Sequence, residues 1–158
     1  MNDIYSDAYR GTDFSKHPKE YRIGRGEQGV LIVEPYKSEI LPLWRFRTPA
    51  IATKSAKKIY DQFLGYIEDG DFVGADMARK FLQMGWTRSR RYANHSSGHK
   101  YSSSGDIKEQ DSDSEGGDKA ESAKIFFEYY QKAKDNQVYL TRKKAWQKQE
   151  KELLNGVE

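Results

Sequence analysis

The 158-residue chain contains no cysteine, only three histidines and four prolines, and no apolar run of membrane-spanning length. The missing cysteines exclude disulfides, thiolate nucleophiles and thiolate metal sites, and they fit a reducing compartment. A spanning helix needs about 18 or more consecutive apolar residues, and a secretory leader needs a charged segment followed by an apolar one. Neither pattern occurs, so the sequence predicts a soluble, cytoplasmic protein with no membrane partner. Catalytic signatures are also missing. Nothing matches HExxH, a phosphate-binding P-loop or a nucleophile, histidine and acid arrangement. No catalytic residue, metal ligand or cofactor is therefore assigned, and the reading leans away from an enzyme.

Hydrophobic residues at 36% with 13% aromatics suffice for one modest core, while 32% charged residues leave much of the chain solvated. The net charge of +3 is unevenly spread. Asp76 to His95 carries five basic residues and one acid, Asp106 to Glu121 seven acids and two lysines, and Lys124 to Lys151 eight basic residues and three acids. Local fields follow from these blocks, not from the total.

Residues 1–20 show no period and predict a partly ordered arm anchored by Tyr5, Tyr9 and Phe14. Within 21–46, Tyr21 to Ile23, Val30 to Val33 and Leu43 to Phe46 are short β-favouring runs, kept short by Pro35 and Pro42. They predict a small antiparallel sheet of two to three strands. Gly24 to Gly29 matches GxGxxG, but a strand-like run follows where a dinucleotide site needs a helix, so a glycine hairpin is the better reading.

Thr48-Pro49 is a cap followed by proline at the first helical position. Ala52, Ala56, Ile59, Tyr60, Phe63, Leu64 and Ile67 then keep a helical stripe up to Gly70. Asp71 caps a second helix with Gly74, Met77, Ala78, Phe81 and Leu82 on its apolar face, Asp76, Arg79, Lys80 and Gln83 opposite, and Gly85 as its stop. A further short turn capped by Thr87 carries Arg88, Arg91 and His95 on one side. Glu68, Asp69 and Asp71 have the chemistry for a hard cation, but caps and turn residues account for them. Residues 96–119 are acidic and rich in Ser and Gly, which predicts disorder, and helices follow over Ala120 to Lys134 and Val138 to Leu154. The expected fold is α+β: the sheet packed on the helical hairpin Pro49 to Met84, making a core of 21–95 on which the C-terminal helical pair, 120–155, docks.

The stretches YRIGRGEQGVLIVEPYKSEILPLWRFRTP and DFVGADMARKFLQMGWTRSRRYANH resemble DUF4385, an uncharacterised family with fungal, bacterial and cyanophage members. The resemblance covers Phe14 to His95 and, less specifically, Ala123 to Trp146. It implies a shared fold, possible phage origin and no established activity. The length and acidity of Ser102 to Gly117 depart from the family.

Three function readings follow. In the first, Arg79, Lys80, Arg88, Arg90, Arg91 and His95 meet the phosphates of a nucleic acid or nucleotide while Trp86 or Tyr92 stacks on a base. The alternative use of the same arginines is pairing with acids of the domain, with Trp86 and Tyr92 in the core. The second reading is a regulatory module that binds a partner protein through its helices. The third is an enzyme on a phosphorylated small molecule, with Glu27 or His95 as acid or base. The acidic run Asp106 to Glu121 either screens the arginine cluster or is a solvated spacer.

Overall fold

Every residue from Phe72 to Leu82 is buried, and the helix that holds them is the axis of the molecule. A computed structural model describes Tyr9, residues 11–94 and residues 117–154. Most of the expected N-terminal arm, His95 and the acidic run up to residue 116 lie outside the described residues. Five α-helices are described: α1 (Tyr36–Ile40), α2 (Pro49–Glu68), α3 (Phe72–Asn94), α4 (Asp118–Lys134) and α5 (Gln137–Leu154). None is long and apolar enough to cross a membrane.

The start of α2 follows its sequence signals. Thr48 Oγ1 accepts from the Ile51 amide at 3.2 Å with Pro49 at the first helical position, and Gly70 at φ +75° turns the chain after Glu68. Asp71 Oδ1 accepts from the Gly74 amide at 3.0 Å and so caps α3. Ile59, Phe63, Phe81 and Leu82 are fully buried where the two helices meet. α4 lies against both α2 and α3, and α5 closes the end near Phe72.

The sheet expected between Tyr21 and Phe46 does not form, and the described residues are helical with irregular connections. Among the described residues the one β contact is an isolated bridge between Asp13 and Glu34. Three glycines explain the loss: Gly24, Gly26 and Gly29 all take positive φ. Tight turns such as Val30 N to Glu27 O and Ile32 N to Gly29 O coil the segment instead of extending it. Tyr21, Ile23, Val30 and Val33 still reach the core. Side chains take the place of strand neighbours. The Tyr9 hydroxyl accepts from Arg22 N, Glu150 accepts from Ile23 N, and Trp146 Nε1 donates to Tyr21 O. Leu43 to Phe46, expected as a strand, continues from a 3-10 turn at Leu41–Leu43 and hangs on Ser55, whose hydroxyl accepts from Arg45 N and donates to Leu43 O.

A second correction concerns Gly85, which does not end a helix. α3 runs through it to Asn94, and the Phe126 ring of α4 occupies the space a Cβ would need. Gly74 does the same for the Tyr66 ring of α2. Both glycines are close-approach positions inside one continuous helix.

Candidate functional site

Two groups of polar side chains converge on α3, one at each half. The first contains Arg79 and Lys80, expected at a phosphate-binding surface and found in the core. Asp76, one turn before them, is fully buried and gathers both. Its Oδ1 accepts from Arg79 Nη2 at 2.6 Å and from the Tyr139 hydroxyl at 2.5 Å; its Oδ2 accepts from the Tyr21 hydroxyl, with Lys80 Nζ at 3.8 Å. The cations continue outward to the glycine loop. Arg79 Nη1 donates to Gly26 O and Lys80 Nζ to Gln28 O, each at 2.7 Å. They supply the donors that a sheet would have supplied, which is why two cations sit on the buried side of an amphipathic pattern.

The electrostatics of this cluster are coupled. Burial alone would raise the Asp76 pKa, but Arg79, Lys80 and the two hydroxyls hold it below the ordinary carboxylate value. Burial pushes the Lys80 ammonium down to about 8 against the opposing pull of Asp76. Desolvation, reinforced by the Asp76 charge, raises the Tyr21 and Tyr139 phenols. These groups hold the fold together and are closed to any ligand.

The second group lies near the C-terminal end of α3. A cleft of about 770 Å³ is lined by Leu41, Pro42, Trp44, Arg45, Phe46, Arg47, Tyr92 and Lys119. Its rings are tilted against one another: Trp44 and Phe46 have centroids 5.0 Å apart, Phe46 and Tyr92 6.2 Å. Cations surround them. Lys119 Nζ sits 5.5 Å from the Phe46 ring centroid and 5.9 Å from that of Tyr92, donating to Arg47 O at 2.9 Å, and the Arg88 guanidinium lies 5.9 Å from the Trp44 ring. Arg45 and Arg47 are exposed at the rim. Apart from the Tyr92 phenol, the ionisable lining groups are all cations, and none of Arg45, Arg47, Arg88 or Lys119 forms an ion pair among the described residues. Trp44 Nε1 is shielded from solvent with no hydrogen-bond partner among them.

The structure therefore splits the expected Arg/aromatic surface. Tyr92 lines the cleft, Arg88 lies 5.9 Å from the Trp44 ring without lining it, and Arg91 is exposed one turn beyond Arg88. Arg90 is turned to Asn94 Oδ1, at 3.2 Å from Nε. Trp86 belongs to an aromatic seam between α3 and α4, 4.6 Å from Phe127 and 5.9 Å from Tyr130. His95 lies outside the described residues. Trp44, Arg45, Phe46, Arg47 and Lys119 were not among the expected residues. The run Trp44-Arg45-Phe46-Arg47 carries the same interleaving of arginine and aromatic residues that singled out the α3 cluster, and reading it as a strand hid it.

Among the described residues no three acids or histidines gather to hold a metal ion, and Asp71 is engaged by the Tyr36 hydroxyl at 2.6 Å as well as in its cap. A family model described as "Domain of unknown function (DUF4385)" matches residues 4–149. No curated protein and no solved structure matches the chain.

Proposed function

Because the chain belongs to the DUF4385 family, whose description names no activity, we propose its function from the cleft: it binds a nucleic acid or nucleotide, without chemistry of its own. The observation that carries this is the cleft's composition. Three aromatic rings line it beside Arg45, Arg47 and Lys119, with Arg88 near the Trp44 ring and no carboxylate among the described lining residues. A ligand complementary to that surface combines flat π-faces with negative charge, which nucleotides do. Arg88 of α3 and Lys119 of α4 come from segments far apart in sequence, and their convergence on the rings of Trp44, Phe46 and Tyr92 is hard to account for as solvated surface alone. The enzyme reading gains nothing from the geometry: Glu27 accepts from Thr87 Oγ1 at 2.6 Å and is not part of the lining.

The test is fluorescence anisotropy of a labelled oligonucleotide against the full chain in about 50 mM salt, followed by a salt titration. Affinity should fall with salt. Arg47→Gln and Arg88→Gln should each reduce the magnitude of the log–log salt slope by about one unit. Failure of the folded protein to bind DNA, RNA and nucleotides at that salt would remove the reading and leave the partner-protein reading ahead.

A further inference from the structure

We propose that the outer face of α5, with residues 19–25 stitched along its flank, is a separate surface that takes the phosphate backbone of a nucleic acid without reading its bases. It uses none of the cleft's residues, and it stands or falls apart from the reading above.

The docking of α5 decides which side it shows. Tyr139, Arg142, Trp146 and Glu150 follow one another at i, i+3, i+7 and i+11, and each makes an inward contact, to Asp76, Ile67 O, Tyr21 O and Ile23 N in turn. The helix is thereby fixed in rotation. Lys144, Lys148 and Lys151, at i, i+4 and i+7, fall on the opposite side and are exposed, with exposed Gln137 and Thr141 in the same row. Lys143 stands on the side of Glu150, two turns before it. The bonds from Trp146 and Glu150 also bring a second run of charge alongside. Lys19 and Arg25 are exposed, two residues to either side of the stretch 21–23 that those bonds hold. Arg22, between them, donates to the Lys19 and Tyr21 carbonyls and adds its charge to the flank.

None of Lys19, Arg25, Lys143, Lys144, Lys148 and Lys151 forms an ion pair among the described residues. Three acids share the two segments: Glu150 is spent on Ile23 N, and Glu20 and Glu152 are exposed. Like charges held one helical turn apart repel, so an anionic partner that spans several of them is favoured. The row from Lys144 to Lys151 runs about 10 Å along the helix. It suits a ligand whose charge repeats along its length, not one phosphate. No aromatic or apolar side chain stands in that row, which leaves nothing for a base to stack on. The same lack argues against a membrane surface. An interfacial helix needs a free apolar face, and α5 has turned Tyr139 and Trp146 to the core. Phosphate contacts from such a row position a nucleic acid and carry no sequence information. About 30 Å of α3 separates Phe72, on which Trp146 stacks, from Tyr92 of the cleft.

The experiment follows a labelled mixed-sequence DNA duplex binding to the full chain, by fluorescence anisotropy over a range of salt. The triple variant Lys144→Gln, Lys148→Gln, Lys151→Gln removes exposed charge and leaves every inward contact, so it should melt as wild type does. At about 50 mM salt it should bind about tenfold more weakly or worse, and the magnitude of its log–log salt slope should fall by about two to three units. Should it melt early, each lysine changed singly should remove about one unit. The corresponding triple arginine variant should keep both affinity and slope, and a duplex of scrambled sequence should bind as tightly as the first. Arg47→Gln separates the two surfaces. A loss with that variant alone would remove this inference and keep the cleft; a loss with the lysine variants alone would keep this inference and remove the cleft. Unchanged affinity and slope in the folded lysine variants, preference for one duplex sequence, or no binding of DNA by the folded chain would each overturn it. So would binding as tight as that of DNA by poly-glutamate, or by vesicles of equal parts phosphatidylserine and phosphatidylcholine.

Discussion

Asp76 is the residue on which the interior depends. A carboxylate with no exposure survives only when its lone pairs are filled, and here Arg79, Tyr21 and Tyr139 fill them with Lys80 close by. Asp76→Ala leaves two buried cations without their counter-charge and should cost about 3–5 kcal/mol in denaturant unfolding at neutral pH. The pH dependence has a definite sign. The Asp76 pKa is lowered on folding, so its stabilisation is present above the ordinary value of 3.8 and is lost as pH falls through the lowered one. The stability gap between wild type and Asp76→Asn should therefore narrow in acid, below pH 3.8. Lys80 runs the other way. Its folded pKa, lowered to about 8 from 10.5, means that the folded chain binds fewer protons than the unfolded one between those values, so stability rises with pH there. Between about pH 8 and 10, wild type should gain on the order of 1–2 kcal/mol relative to Lys80→Met. A gap that stays constant across that range would mean that the buried ammonium carries no desolvation penalty.

At the scale of elements, α3 tests how far glycine propensity is overridden by contact. In an exposed helix, glycine to alanine stabilises by about 1 kcal/mol. At Gly74 and Gly85 an added Cβ would meet the rings of Tyr66 and Phe126 closer than 3.0 Å, so Gly74→Ala and Gly85→Ala should instead destabilise by about 1–3 kcal/mol. Calorimetry reads this as a lower Tm, about 2–4 °C for each kcal/mol. Raised Tm values in both would show that the helices stand further apart. The same residues mark what the sequence discloses. α2, its Thr48-Pro49 start and its core stripe are legible because their signals are local. Gly85 is ambiguous locally: a stop signal and a notch for a ring from a distant helix are the same letter, and only Phe126 decides between them. The expected sheet fails for a similar reason. Tyr21, Ile23, Val30 and Val33 are buried as a strand's would be, but the glycines between them coil the backbone, and the donors that satisfy it come from α3 and α5. The cleft is legible in the sequence only through Tyr92, because the rest of its lining depends on the Leu41, Pro42 and Trp44 to Arg47 segment and Lys119 arriving beside it.

At the scale of the whole molecule, α5 contributes more through its partners than through its own burial. Tyr139 is its one fully buried residue, yet its side chains reach every part of the far end of the core. The Tyr139 hydroxyl donates to Asp76, and its ring lies 5.7 Å from both Phe63 and Phe72. Trp146 stacks on Phe72 at 5.0 Å and donates to Tyr21 O, Glu150 accepts from Ile23 N, and Arg142 donates to Ile67 O at 2.7 Å. Ending the chain at Asn136 would therefore uncover Phe72, orphan backbone groups of the Tyr21–Ile23 segment and remove one hydroxyl from Asp76. Losing a buried aromatic costs about 3–5 kcal/mol, and a whole domain holds only about 5–15 kcal/mol. The truncated chain should lose its cooperative thermal transition and expose its aromatic residues, seen as collapse of the near-ultraviolet circular dichroism. Tyr139→Phe separates the causes: it keeps the ring and removes the hydroxyl, and should cost about 1–3 kcal/mol with the transition still cooperative. If the truncated chain melted sharply at the wild-type temperature, α5 would be an appendage and the Asp76 cluster would close without it.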